Sequence, residues 1–135
     1  MQRLNISSGA PWEAKVGYSR AVRIGNVVEV SGTVSQDGDK VIGINDPYEQ
    51  TKHALAKIEA ALVKAGASLH DVIRTRIYVT DISQWEKIGR AHGEFFQAIR
   101  PVTTMVEVSK LISPELLVEI EATAIVSTKP DKLSV

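Results

Sequence analysis

The chain has 135 residues and 44% apolar content, which fits one compact domain with one core. Lysine plus arginine and aspartate plus glutamate both number 16, so no net field recruits nucleic acid or an anionic membrane, and few aromatics interleave the basic residues. Cysteine is absent, which excludes disulfides, thiolate catalysis and thiolate metal sites, and the lack of a signal-like or membrane-length apolar run leads to the expectation of a cytoplasmic protein.

Arg3 to Ile6 reads as a short first strand, followed by an irregular stretch containing Pro11 and Trp12. Strands over Tyr18–Ile24 and Val27–Thr33 flank Gly25-Asn26, a two-residue hairpin signal that pairs Ile24 with Val27, Val22 with Glu29 and Arg20 with Ser31. Asp37-Gly38-Asp39 is a loop. Asp46-Pro47-Tyr48-Glu49 opens a helix, with Asp46 as N-cap, proline at the first helical position and Glu49 completing a capping box. Ala54, Leu55, Ile58, Ala61, Leu62 and Ala65 recur at helical spacing until Gly66 stops the helix after about five turns.

Val72 to Thr80 alternates, with Ile73, Thr75, Ile77 and Val79 against Arg74, Arg76 and Tyr78. Ser83 and Glu86 have the spacing of a second capping box, and the helix that follows carries Trp85, Ile88, His92, Phe95, Phe96 and Ile99 on one stripe. Two strands close the domain. In the first, Val102, Thr104, Val106 and Val108 oppose Thr103, Met105 and Glu107; in the second, Val118, Ile120, Ala122 and Ala124 oppose Glu119 and Glu121. Residues 1–126 thus form a single domain, and Ser127 to Val135 is expected to be a loose tail.

Two helices cover only one face of such a sheet. The open face is expected to carry Tyr18, Arg20, Glu29, Ser31, Arg74, Arg76, Tyr78, Thr103, Met105, Glu107, Glu119 and Glu121. Bulky residues among paired charges suit contact with another subunit, although alternation alone also suits a solvated antiparallel sheet. His53, His70 and His92 fall in different elements, so no preformed metal site is expected, and His92, within an apolar stripe, reads as a structural histidine. Arg90 and Glu94 fall on the solvent side of that helix.

Pro101-Val102-Thr103-Thr104 followed by Glu119-Ile120-Glu121 resembles the signature of the RidA/YjgF family of small trimeric proteins, whose best-known members hydrolyse reactive enamines and imines. The resemblance spans roughly Val16 to Ile125. It implies an α+β, chorismate-mutase-like fold: a mixed sheet with two helices on one face, assembled as a homotrimeric barrel with ligand clefts between subunits. It further implies a small-molecule metabolite as partner, anionic or carbonyl-bearing, with no metal or organic cofactor.

By the same resemblance, Tyr18 lines the cleft, Ser31-Gly32 offers backbone groups to the ligand, and Glu119 positions a catalytic water. Thr103 stands where the family has the arginine that grips the substrate carboxylate, and Gly89 stands near the family's helix asparagine. A threonine gives at most a neutral hydrogen bond of about 1 kcal/mol, against about 1.5–3 for a charge-assisted one. Weak or absent 2-iminopropionate hydrolysis is therefore expected. Arg20 or Arg76, on the face of Thr103 and Met105, would supply the missing charge unless held by Glu29, Glu107, Glu119 or Glu121; Arg100 is expected on the opposite face. A non-catalytic ligand sensor or protein-binding trimer, and more remotely a ribonuclease, stay open as alternatives.

Overall fold

A computed structural model describes residues 1–127. In chain order the elements are β1 (Arg3–Ile6), α1 (Pro11–Val16), β2 (Ala21–Ile24), β3 (Val27–Val34), β4 (Gln36–Asp37), β5 (Lys40–Val41), α2 (Pro47–Lys64), β6 (Val72–Val79), α3 (Trp85–Phe96), β7 (Val102–Glu107) and β8 (Val118–Ile125). Six strands form one sheet in the order β1-β2-β3-β8-β6-β7, and β4-β5 is a separate two-stranded ribbon. Only β6 and β7 run parallel in that sheet, joined by α3, as a parallel crossover requires. The architecture is α+β with a mixed sheet, as the sequence indicates.

Local chemistry explains where the long helix begins and ends. Asp46 accepts a hydrogen bond from the Glu49 backbone N–H at 3.1 Å, with Pro47 in the first turn. At the other end Gly66 takes φ +81°, and Arg23 Nη1 donates to the Ala65 carbonyl at 2.8 Å, placing a cation at the negative helix terminus. Leu55, Ile58 and Leu62 of α2 and Ile88 and Phe96 of α3 pack on Val28, Ile77, Val79, Val118 and Ile120 of the sheet, all fully buried. Burying each such side chain contributes about 1.5–3 kcal/mol.

Four expectations need correction. The stretch around Trp12 is not irregular: Pro11 starts the short helix α1, and Gly17 at φ +88° ends it, its N–H donating to the Glu13 carbonyl. Six residues are too few for a hydrophobic period to show. The hairpin register is as read, with the Arg20 carbonyl accepting from the Ser31 N–H at 2.9 Å, but β2 begins only at Ala21 and the alternation of faces does not extend to Arg20, which is buried. Ser83 does not cap α3; Asp81 caps the preceding turn through Ser83, and the helix begins at Trp85. Ile73 is exposed, because the register of β6 against β8 shifts between Val72 and Arg74 and moves it off the core face.

The faces of β7 are also reversed. In the parallel pairing Thr103 lies beside Thr75 and Met105 beside Ile77, so Thr103 and Met105 are on the helix side, as is Glu107, which accepts from the Ile82 N–H. Val102 and Val106 lie on the open face, 56% and 41% exposed. Apolar alternation wrongly put the valines in the core, because it cannot say whether a strand's apolar face meets the chain's own helices or something outside the protomer. Of the expected tail, residues 128–135 lie outside the described residues.

Candidate functional site

The chemistry concentrates where β3 leaves the sheet. Val30 pairs with Ala122 and Thr33 with Ile120, so β3 holds one more residue than β8 between the same pairs and bulges at Ser31-Gly32. The bulge lets the Glu119 side chain lie against the backbone of Gly32. A Cβ at Gly32 would fall on the Glu119 carboxylate, so any side chain there would push the end of Glu119 aside. Glycine at this position leaves the carboxylate room to lie against the backbone.

Arg20 holds the bulge from the other side. Its Nη1 donates to the Gly32 carbonyl at 2.8 Å and to Thr33 Oγ1 at 3.1 Å, and its Nη2 donates to the Tyr18 hydroxyl at 3.3 Å. Nε faces Glu13 Oε2 at 3.8 Å. Glu13, on α1, accepts from Ser7 Oγ at 2.9 Å and from Ser8 Oγ at 2.5 Å. Burial alone would raise the Glu13 pKa, but the bonds from Ser8 and Ser7 and the charge of Arg20 outweigh it and hold the carboxyl below its ordinary range. Arg20 is thus 8% exposed and turned toward the bulge, not displayed on the open face. Ser31 is bound into the same loop, its Oγ donating to the Ser19 carbonyl at 2.6 Å.

Tyr18, Arg20, Gly32 and Glu119 share one cavity of about 440 Å³ with Trp12 of α1, Lys57 of α2 and Ile112. Burial raises the Glu119 pKa first, the neighbouring Glu121 carboxylate adds to the rise, and Arg20 opposes both. A carboxyl so placed keeps its proton to higher pH than a free glutamate. Lys57 Nζ donates to the carbonyls of Gln36 at 2.6 Å and Val34 at 3.3 Å. Burial, and next the charge of Arg20, lower its pKa, while Asp37 opposes the fall.

The other singled-out residues lie elsewhere. Ser31 and Arg76 line a shallower groove of about 650 Å³ on the open face with Tyr18, Glu29 and Glu121. There Arg76 meets Glu121 at 3.5 Å, and the Tyr78 hydroxyl donates to the same carboxylate at 3.1 Å. Thr103 belongs to the helix side of the sheet. Its hydroxyl bonds to Thr75 Oγ1 at 2.8 Å, and Thr75 bonds to His92 Nε2 at 2.9 Å. His92 packs on Phe96 with ring centroids 4.7 Å apart, and burial lowers its pKa, so the imidazole stays neutral. Met105 packs against the core. Gly89 faces open space. Arg90 and Glu94 engage Tyr48: the arginine lies 4.6 Å from its ring centroid, and the carboxylate accepts from its hydroxyl at 2.5 Å.

Trp12, Lys57 and Ile112 of the cavity, and Glu13 behind Arg20, are residues that the sequence reading does not assign to the site. Lys57 had a signal, since it falls three residues after Ala54 and four before Ala61, on the buried stripe of α2. A lysine in such a stripe demands a polar partner. Among the described residues no cluster of histidine and carboxylate side chains could hold a metal ion, and no helix is long and apolar enough to cross a membrane.

Comparisons with known proteins agree with this architecture. A family model described as Endoribonuclease L-PSP matches residues 8–126. The 3-aminoacrylate deaminase RutC of Acinetobacter baylyi is 34% identical over 108 residues, covering 79% of this chain and 85% of that protein. A RutC family protein of Pyrococcus abyssi is 38% identical over 110 residues, covering 79% and 84%. The crystal structure of Rv2704 from Mycobacterium tuberculosis, described as a member of the highly conserved YjgF/YER057c/UK114 family, is 55% identical, with a TM-score of 0.86 over 93% of this chain and 100% of that one. With the family model spanning residues 8–126 and a family member's fold matched over 93% of the chain, the chain belongs to the RidA/YjgF family.

Proposed function

We propose that this protein binds a small anionic or carbonyl-bearing metabolite in the cavity at Gly32 and Glu119 and hydrolyses an imine or enamine there. The observation that carries the reading is the Glu119 carboxyl, raised in pKa by burial and seated in the cavity against the backbone of Gly32. In the reaction, protonated Glu119 gives its proton to the imine nitrogen, which makes the carbon electrophilic. The resulting carboxylate takes a proton from the attacking water. A carbinolamine forms; Glu119, protonated again, gives that proton to its nitrogen, the C–N bond breaks as the hydroxyl oxygen forms the C=O bond and returns its proton to the carboxylate, and ammonia leaves with the oxo compound. An acid whose pKa lies nearer the working pH serves both steps better than an unperturbed glutamate. Backbone groups at Ser31 and Gly32 and the Tyr18 hydroxyl orient the substrate, and Arg20 fixes the bulge and lends positive potential.

Two further parts of the reading follow from β7. Thr103 offers a neutral hydroxyl already bonded to Thr75, so 2-iminopropionate is turned over weakly compared with family members that carry the arginine. Val102 and Val106, exposed on the open face beside the Arg76–Glu121 groove, suit burial by a neighbouring subunit in a homotrimer. Ribonuclease action fits less well, since 16 basic and 16 acidic residues give no net field for RNA.

The test is imine hydrolysis followed with an amino-acid oxidase generating the imine and semicarbazide trapping what remains. Glu119→Gln lowers the rate about 100-fold or more, the scale of general acid–base catalysis, while the folded protein keeps its melting temperature or gains. A wild type without hydrolysis on any imine, or a variant as fast as wild type, overturns the catalytic reading; in the first case, ligand binding without turnover would identify a sensor.

A further inference from the structure

The cavity that holds Glu119 has a charged floor and an apolar rim. On the floor are Arg20, nearly buried, and Lys57, partly buried between α2 and the end of β3. At the mouth are Trp12 and Val16 on α1 and Ile112 on the loop before β8, which are 46%, 70% and 72% exposed. The two helical residues are four apart and so lie on one face of α1. About 440 Å³ lies within the range of about 300–1,000 Å³ typical of sites for organic ligands. A three-carbon acid seated on the floor would leave the rim untouched.

Lys57 is the floor residue with a donor to offer. An ammonium has three N–H bonds. Those directed at Gln36 and Val34 fix its position, and the third is open to a ligand. Arg20, by contrast, is tied to Gly32, Thr33, Tyr18 and Glu13. Arg20 lies close enough to disfavour the charge on Lys57, which Asp37 relieves only in part; a carboxylate beside Lys57 would relieve it further.

Resting on the proposed function, we infer that the preferred ligand is a 2-imino acid with a branched or aromatic apolar side chain, its carboxylate on Lys57 and its side chain against Trp12, Val16 and Ile112. Lys57 and the rim then determine specificity, and Lys57 supplies the carboxylate contact that Thr103 does not.

The probes are the stable 2-oxo acids pyruvate, 4-methyl-2-oxopentanoate and phenylpyruvate, with the neutral ketone 4-methylpentan-2-one as control, measured by calorimetry on the full chain. Each buried methylene strengthens binding about fourfold, the equivalent of ~0.8 kcal/mol. The two larger acids therefore bind wild type at least about tenfold more tightly than pyruvate. Trp12→Ala and Ile112→Ser bring that ratio toward one; should the tryptophan variant fold poorly, the Ile112 variant, at an exposed loop position, decides the point. Lys57→Gln, which keeps an amide donor for the carbonyls, weakens all the acids about tenfold but not the ketone, and Lys57→Arg recovers most of the loss.

Equal affinity for the three acids, or a ratio unmoved by Ile112→Ser, overturns the apolar rim. Unchanged acid binding in Lys57→Gln overturns the anchor. Either failure leaves Glu119-dependent hydrolysis standing, whereas equal turnover in wild type and Glu119→Gln removes the catalytic reading beneath the inference.

Discussion

The bulge end of β3 and the outer edge at β7 are built on opposite principles. At the bulge, charged groups are crowded together: Arg20, Lys57 and Glu119 line one cavity, Glu13 backs Arg20, and the Glu119 carboxylate lies where a side chain on Gly32 would be. At the β7 edge the linked polar groups are neutral, a chain from exposed Thr103 through buried Thr75 to half-buried His92. Charge that is buried and incompletely compensated shifts pKa values and is available for chemistry. A neutral chain with its donors and acceptors matched holds structure. The family's signature spans both regions, yet it is in the first that shifted carboxyl and ammonium groups, Glu119 and Lys57, share one cavity.

The difference can be broken most severely at Gly32. Gly32→Ala forces Glu119 out of its seat, and imine-hydrolysis turnover is expected to fall about 100-fold or more, as for loss of a general acid. Turnover within twofold of wild type would show that the close approach is not needed. The edge is broken differently. Val106→Asp places a charge on the open-face valine surface, so light scattering at micromolar concentration should show wild-type trimers replaced by monomers. A monomeric wild type would remove the trimer from the reading.

A milder change sharpens the contrast. Thr75→Val keeps the side-chain shape but leaves the half-buried His92 Nε2 without its partner, at a cost of about 1–3 kcal/mol, while exposed Thr103 turns to water. The melting temperature should drop by about 3–10 °C while Glu119-dependent turnover changes little. A large loss of turnover at full stability would instead place the β7 edge in the chemistry.

The smallest effect is a difference of sign with pH. Glu119 has a folded pKa above its ordinary value of 4.5, so the folded state binds its proton more tightly than the unfolded chain, and stability falls as pH rises from 4.5 through the folded value. Glu119→Gln should therefore melt higher than wild type at pH 7, with the gain gone below pH 4.5. His92 runs the other way. Its folded pKa lies below 6.5, so stability falls as pH drops from 6.5 toward the folded value. Melting curves of the glutamine variant and wild type across this range check both slopes, and a variant that is less stable at pH 7 would show that the carboxylate is well solvated.

Much of this protein is set by short-range rules that a linear sequence carries. The N-cap at Asp46, the stop at Gly66, the Gly25-Asn26 hairpin register and the buried stripe of α2 depend on neighbours a few residues apart, and they appear as read. Pro101 to Thr104 with Glu119 to Glu121 likewise indicates the family, because it is a contiguous pattern. What the tertiary structure decided is which side of each strand faces what, and which distant residues meet. The parallel pairing of β7 with β6 sends Thr103 and Met105 to the helix side and leaves the valines outside. The extra residue at the β3 bulge brings Gly32 against Glu119, 87 positions later in the chain (119 − 32). Lys57 joins them only because α2 crosses the end of β3, bringing its ammonium to carbonyls more than 20 residues away in sequence. Side-chain alternation has a period but no sign: it separates two faces without saying which one is covered, and only the packed sheet supplies that choice.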